Sequence, residues 1–188
     1  NLLYAQPTGY HATMVGFPYD DVNTWRAIYP AEVLASQFEK IATGWEQGLS
    51  CLQSAQRRPG TTAQRANLHT DLGIAQAAGL HFRSVANQIR FVMARDALLT
   101  GLLEGAERDA QIEIARKSVI DEIETAKRLF VLTLDDSRIG YEASNHYYYL
   151  PLDLVEKVVN CRHILDTWPA GMRNNDAGRI VLQSTRQL

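Results

Sequence analysis

The segment from Leu68 to Ala97 constrains this chain more than any other. Leu68, Leu72, Ala75, Gly79, Phe82, Ala86, Ile89, Met93 and Ala97 recur at steps of three and four, the spacing that lines up one face of an α-helix. The pattern starts near Thr61 or Thr62 and runs to Leu99, so an unbroken helix here is roughly 58 Å long at 1.5 Å per residue. A rod of that length has to be matched by other helices. Gly73 and Gly79 cost it about 1 kcal/mol each relative to Ala and mark the place where a bend is easiest. Ala75, Ala78, Gly79 and Ala86 let a neighbouring helix approach closely.

Three further segments supply partners. "YPAEVL" opens a first helix, with Pro30 suited to its first position and Glu32 complementing the positive end of the helix dipole. Leu34, Phe38, Ile41, Trp45, Leu49 and Leu52 form its apolar stripe, and "RRPG" at 57–60 ends it. After "TGLLEGAE" a third helix turns Ile112, Ala115, Val119, Ile123, Ala126, Phe130 and Leu134 inward and ends in the turn-forming "DDSRIG". A fourth begins at "LPLDLVEKVV" and is expected to stop before "WPAG" at 168–171. The stripes are apolar on one face only. The expectation is an all-α protein, an up-and-down bundle of three long helices plus a shorter fourth, with an irregular aromatic-rich N-terminal arm. It divides into the arm at 1–29, the bundle at 30–168 and a loosely held tail at 169–188. Within the arm, "HATMVGF" at 11–17 reads as one short strand, paired either with "NLLYA" or with a sheet outside this sequence.

Composition narrows the function classes. At 188 residues and 46% hydrophobic the chain buries a real core. A formal charge of −2 provides no basic field for a phosphate backbone, so nucleic acid is not an expected partner. No apolar run approaches the roughly 20 residues that span a bilayer, so no membrane span is expected. Without a start methionine or a leader, Asn1 reads as a processed end or a cut. Cys51 and Cys161 sit in helical patterns without CxxC or histidine partners, and read as two small buried thiols, with a disulfide between helices as the alternative. His69 and His81 face different directions, so no metal is expected. The absence of GxGxxG, P-loop, GxSxG and HExxH leaves no nucleotide, serine-hydrolase or zinc-protease motif, and no cofactor is expected.

Side chains with chemistry gather in two places. One is the arm, with Tyr10, His11, Phe17, Tyr19, Asp20, Asp21, Trp25, Arg26 and Tyr29. The other is 138–149, including "SNHYYYLP". Both precede helix starts, those of helices one and four, and are expected to share one end of the bundle. Rings beside carboxylates, amides and guanidinium groups suit a sugar, whose C–H faces stack on the rings while its hydroxyls take the polar groups. The competing reading is that the rings fill the junction between arm and bundle. Asp20 and Asp21 could pair as carboxylates, but adjacent side chains usually diverge, and the competing reading is that one bonds the turn. On helix two, His69, Gln76, Arg83 and Arg90 recur every seven residues, and Arg83 and Arg90 are expected to meet carboxylates of helix three such as Glu113 or Glu124.

Three stretches carry a resemblance: "VGFPYDDVNTWRAIYPAEVLASQFEKIATGWEQGL" (15–49), "ANLHTDLGIAQAAGLHFRSVANQIRFVMARDAL" (66–98) and "DDSRIGYEASNHYYYLPLDLVEKVVNCRHIL" (135–165). Together they resemble the C-terminal helical region of large bacterial glycoside-hydrolase-like proteins, which join a TIM-barrel domain to such a region. The resemblance implies catalytic carboxylates upstream of this sequence, a periplasmic or extracellular setting, and a helical accessory role in which this chain is not catalytic alone. Its partners are then the missing catalytic domain or a carbohydrate. Chemistry and place, not a family motif, make Trp25, Arg26, Arg138, Glu142, Asn145, His146 and Tyr148 the expected wall of a sugar cleft. The alternatives are a stand-alone protein–protein interaction bundle, including one that self-associates, and an enzyme using Asp20, Glu142 and His146.

Overall fold

A computed structural model describes residues 2–9, 20–24, 26–142, 146–147 and 149–173, the side chains of 142, 146–147 and 169–173 excepted. The fold is all-α. Four helices, α1 (Ala31–Ala55), α2 (Thr62–Leu99), α3 (Gly105–Asp135) and α4 (Pro151–Arg173), run up and down, each packing chiefly on the next in sequence. Short 3-10 turns at Val22–Thr24 and Ser137–Gly140 precede α1 and α4.

Local chemistry accounts for the ends. Thr61 caps α2 with a reciprocal pair: its hydroxyl accepts from the Gln64 N–H at 3.2 Å, and the Gln64 side chain accepts from the Thr61 N–H at 2.9 Å. Gly101, at φ +69°, takes the chain out of α2 through a left-handed turn that a side chain resists. Pro30 lies one position before α1, and its carbonyl accepts from Val33 and Leu34. At α4 the Asp153 carboxylate accepts from the Leu150 N–H at 2.6 Å.

The main core joins Ala35 of α1, Val85 to Leu98 of α2, Ile112 to Ile123 of α3, and Cys161, Ile164 and Trp168 of α4. α2 is the central rod, and from Val85 to Leu98 nearly every residue is buried or half-buried. The one-faced stripe expected for it holds only nearer its start. From Val85 to Leu98 α1 and α3 flank the rod and Trp168 of α4 packs on Phe91, so residues off the stripe are covered as well. α1, by contrast, packs chiefly on α2 and is an edge helix. Its stripe residues Ile41 and Trp45 stay partly exposed, and full burial falls to Ala35 and Ala42. Cys51 is exposed for the same reason, which corrects the expectation of two buried thiols; Cys161 is fully buried. Neither forms a disulfide.

Three other expectations change. Leu134 was placed inward but is 64% exposed, because Leu129 and Thr133 take the inward positions of the last turns of α3. α4 continues through "WPAG" to Arg173, since Trp168 is buried against Phe91 with ring centroids 5.5 Å apart, and that burial holds the turn. Arg83 and Arg90 bridge to α1, not to α3: Arg83 reaches Glu46 at 3.0 Å, and Arg90 meets both Glu32 and Glu39. Periodicity places both arginines on one face of α2 but does not choose the neighbour.

The arm closes the remaining gap. Leu3 is buried in the main core, its N–H and carbonyl bonded to the Asn160 side chain of α4 at 2.8 and 2.9 Å. Arg95, wholly buried, donates to the carbonyls of Tyr4 (3.2 Å) and Asp20 (2.6 Å), and its guanidinium pairs with Asp96. "HATMVGF" and residues 174–188 lie outside the described residues.

Candidate functional site

Because the helices alternate, α1 and α4 start at opposite ends of the bundle. The pairing of Arg90 with Glu32 and of His69 with Asp135 (3.6 Å) fixes those directions. The starts of α1 and α4 therefore do not share an end, which corrects that expectation, although Tyr4, near the front of the arm, reaches the same cavity as Tyr149. The chain around Asp20 sits on Arg95, whereas Arg138 sits beside Ile74 to Phe82. Arg95 and Ala77 are about 27 Å apart along α2.

The expected sugar-wall residues separate accordingly. Arg26 serves its own loop, donating to Asn23 at 2.8 Å and to the Tyr29 carbonyl at 2.6 Å. Arg138 forms a two-pronged pair with Asp136, Nε at 2.8 Å and an outer nitrogen at 2.6 Å from the carboxylate, and this pair pulls the Asp136 carboxyl down to about 2. Glu142 and His146 stand opposite each other in a two-residue antiparallel hairpin, β1 (Tyr141–Glu142) and β2 (His146–Tyr147). Trp25, Asn145 and Tyr148 lie outside the described residues. Asp20 spends its carboxylate on the Thr8 N–H and hydroxyl.

Among the described residues two concavities lie side by side. The outer one, about 600 Å³, runs between α2 and the Asp136–Tyr141 loop, and its walls include Ile74, Phe82, Arg138, Ile139, Tyr141 and Tyr149. Gly140 sets its shape: a Cβ there would lie 2.2 Å from the Tyr149 carbonyl oxygen, so only glycine lets the loop close on Tyr149. Burial raises the Tyr149 phenol above its usual range, and its hydroxyl faces the Ile139 carbonyl at 3.5 Å. The inner cavity, about 450 Å³, lies between α2, α3 and α4, and meets the outer one at His81, Phe82 and Tyr149.

The inner cavity carries a buried polar layer that sequence reasoning missed. Glu122 of α3 accepts from the Ser84 hydroxyl (2.8 Å) and the Asn87 amide (3.0 Å) of α2, and pairs with Lys157 of α4 at 3.1 Å. Gln88 donates to the Ser84 oxygen at 2.8 Å. The signal was present as charges inside apolar stripes. Glu122 takes an inward position between Val119 and Ala126, and Lys157 one between Leu154 and Cys161. Desolvation holds the His81 imidazole below its usual range, with the Glu122 carboxylate opposing.

Among the described residues no cluster of His, Cys, Asp or Glu is arranged to hold a metal ion, and no helix is long and apolar enough to cross a membrane. Compared with known protein families, curated proteins and solved structures, the chain finds no match.

Proposed function

We propose that this chain is a helical accessory module of a carbohydrate-active, glycoside-hydrolase-like protein, not catalytic by itself, and that the outer groove receives a sugar. The observation that carries the reading is the groove's make-up: Phe82, Tyr141 and Tyr149 stand on its walls with the Arg138–Asp136 pair and His81. Flat rings pack on the C–H faces of a pyranose, and a guanidinium held by a carboxylate offers donor and acceptor to vicinal hydroxyls. The resemblance of 15–49, 66–98 and 135–165 to the helical region of such proteins supports the same class. In this reading the catalytic carboxylates belong to a TIM-barrel unit outside the sequence.

The test is a titration with neutral mono- and oligosaccharides, read by calorimetry and by NMR shifts of residues 136–149. Tyr141 and Arg138 are exposed, so Tyr141→Ala and Arg138→Ala leave the helices intact. Saturable binding that both variants weaken supports the proposal. A panel of sugars that moves no resonance in the groove sinks it.

A further inference from the structure

We propose that the inner cavity, about 450 Å³, binds a small organic ammonium ion, a charged nitrogen on a hydrocarbon body. This goes beyond the sugar reading of the outer groove and does not depend on it.

Three independent features of the wall point to a cation. The first is charge. Glu122, Asp153 and Glu156 line the cavity, and Lys157 is the one lysine or arginine among the described lining residues. Lys157 is paired with Glu122 at 3.1 Å, so three carboxylates share one lining ammonium; Asp153 also accepts from the Leu150 N–H at 2.6 Å, and Glu156 stands exposed at the mouth. His81 does not balance them at neutral pH, because its desolvated imidazole favours the neutral form.

The second feature is an orphaned acceptor. Ser84 gives its only hydroxyl proton to Glu122, so its oxygen needs a donor, and the Gln88 amide nitrogen supplies it at 2.8 Å. That chain fixes the orientation of the Gln88 amide. Its carbonyl oxygen is buried and finds no hydrogen-bond partner among the described residues, on a side chain that lines the same cavity. An N–H donor is what it lacks.

The third feature is the ring content. Tyr4, Phe38, Phe82 and Tyr149 come from the arm, α1, α2 and the loop before α4, and converge on this one cavity. Aromatic faces attract an ammonium and pack on its hydrocarbon. An anion would meet the two mouth carboxylates, and an apolar guest would leave the Gln88 oxygen unpaired.

The experiment compares three probes of one shape: cyclohexylammonium, cyclohexanol and cyclohexanecarboxylate. Each is titrated into the protein at neutral pH while NMR follows the Gln88 side-chain amide and the ring resonances of Phe82 and Tyr149. The ammonium is expected to saturate these shifts with a Kd about tenfold below that of the alcohol, and the carboxylate is expected to leave them in place. Glu156, exposed at the mouth, is changed to Gln without risk to the core, and E156Q is expected to weaken the ammonium about threefold. Equal binding of alcohol and ammonium overturns the proposal in favour of an apolar hole. Absence of any shift at Gln88 and Phe82, or an ammonium affinity indifferent to E156Q, overturns it too. Sugar binding in the outer groove is read on residues 136–149 and with Tyr141→Ala, so the two readings fail separately.

Discussion

Glu122 on α3 and Lys157 on α4 meet at 3.1 Å inside the bundle, their side chains 2% and 6% exposed. Removing two charges from water costs several kcal/mol per ion, and the pair is tolerated because Ser84 and Asn87 satisfy the remaining carboxylate lone pairs. The three helices thus carry matched polar groups at one level of the bundle.

Breaking this layer from one side should cost far more than replacing it. Lys157→Met leaves Glu122 buried and uncompensated, and is expected to destabilise by about 3–5 kcal/mol. The double variant Glu122→Leu, Lys157→Met is expected to recover most of that loss. Denaturant unfolding of the two variants checks both; a mild effect of the single change would mean water reaches Glu122.

A second prediction concerns Gly79, whose missing side chain makes room for an indole. A Cβ there would fall 2.8 Å from Cδ1 of Trp45, and the indole N–H is tied to the Ala75 carbonyl at 2.7 Å. Gly79→Ala is therefore expected to destabilise by about 1 kcal/mol or more despite the better helix propensity of Ala. In a Trp45→Ala background the same change is expected to stabilise by about 0.5–1 kcal/mol. Melting temperatures of the four proteins decide; the same sign in both backgrounds would show that the indole is not the obstacle.

Arg95 clamps the arm. Its wholly buried guanidinium holds the backbone carbonyls of Tyr4 and Asp20, an arrangement for which a lysine lacks the fork geometry. Arg95→Lys is expected to expose the arm to protease within residues 1–29 while helicity by circular dichroism stays near wild type. Unchanged cleavage rates would place the arm's anchorage elsewhere, at Leu3 and Asn160.

The two cysteines should differ in reactivity and in pH response. Cys51 is exposed and is expected to react at once with a thiol reagent, whereas Cys161 should react only on unfolding. Burial raises the Cys161 thiol from 9.0 to about 11. The unfolded thiol loses its proton first, so the folded state holds an extra proton across that window and stability falls as pH rises through it. Unfolding curves of wild type and Cys161→Ala between pH 8 and about 11 isolate the effect. Parallel pH profiles for the two would contradict it.

The helices themselves were legible in the residue order, because the first three bear periodic stripes and the ends carry local chemistry: Pro30 before α1, the start of α2 near Thr61, and the proline opening α4 with acids behind it. These are interactions within a few residues, and spacing alone specifies them. Which face meets which neighbour was decided by the tertiary structure. Arg83 and Arg90 turn to α1, Cys51 stays in solvent because α1 is an edge helix, and Asp20 and the Asp136–Tyr141 loop fall at different levels of α2. Glu122 and Lys157 show the division most clearly. Each was readable as a charge in an apolar stripe, but only the relative rotation and level of α2, α3 and α4 bring them together, since nothing local to either helix sets that alignment.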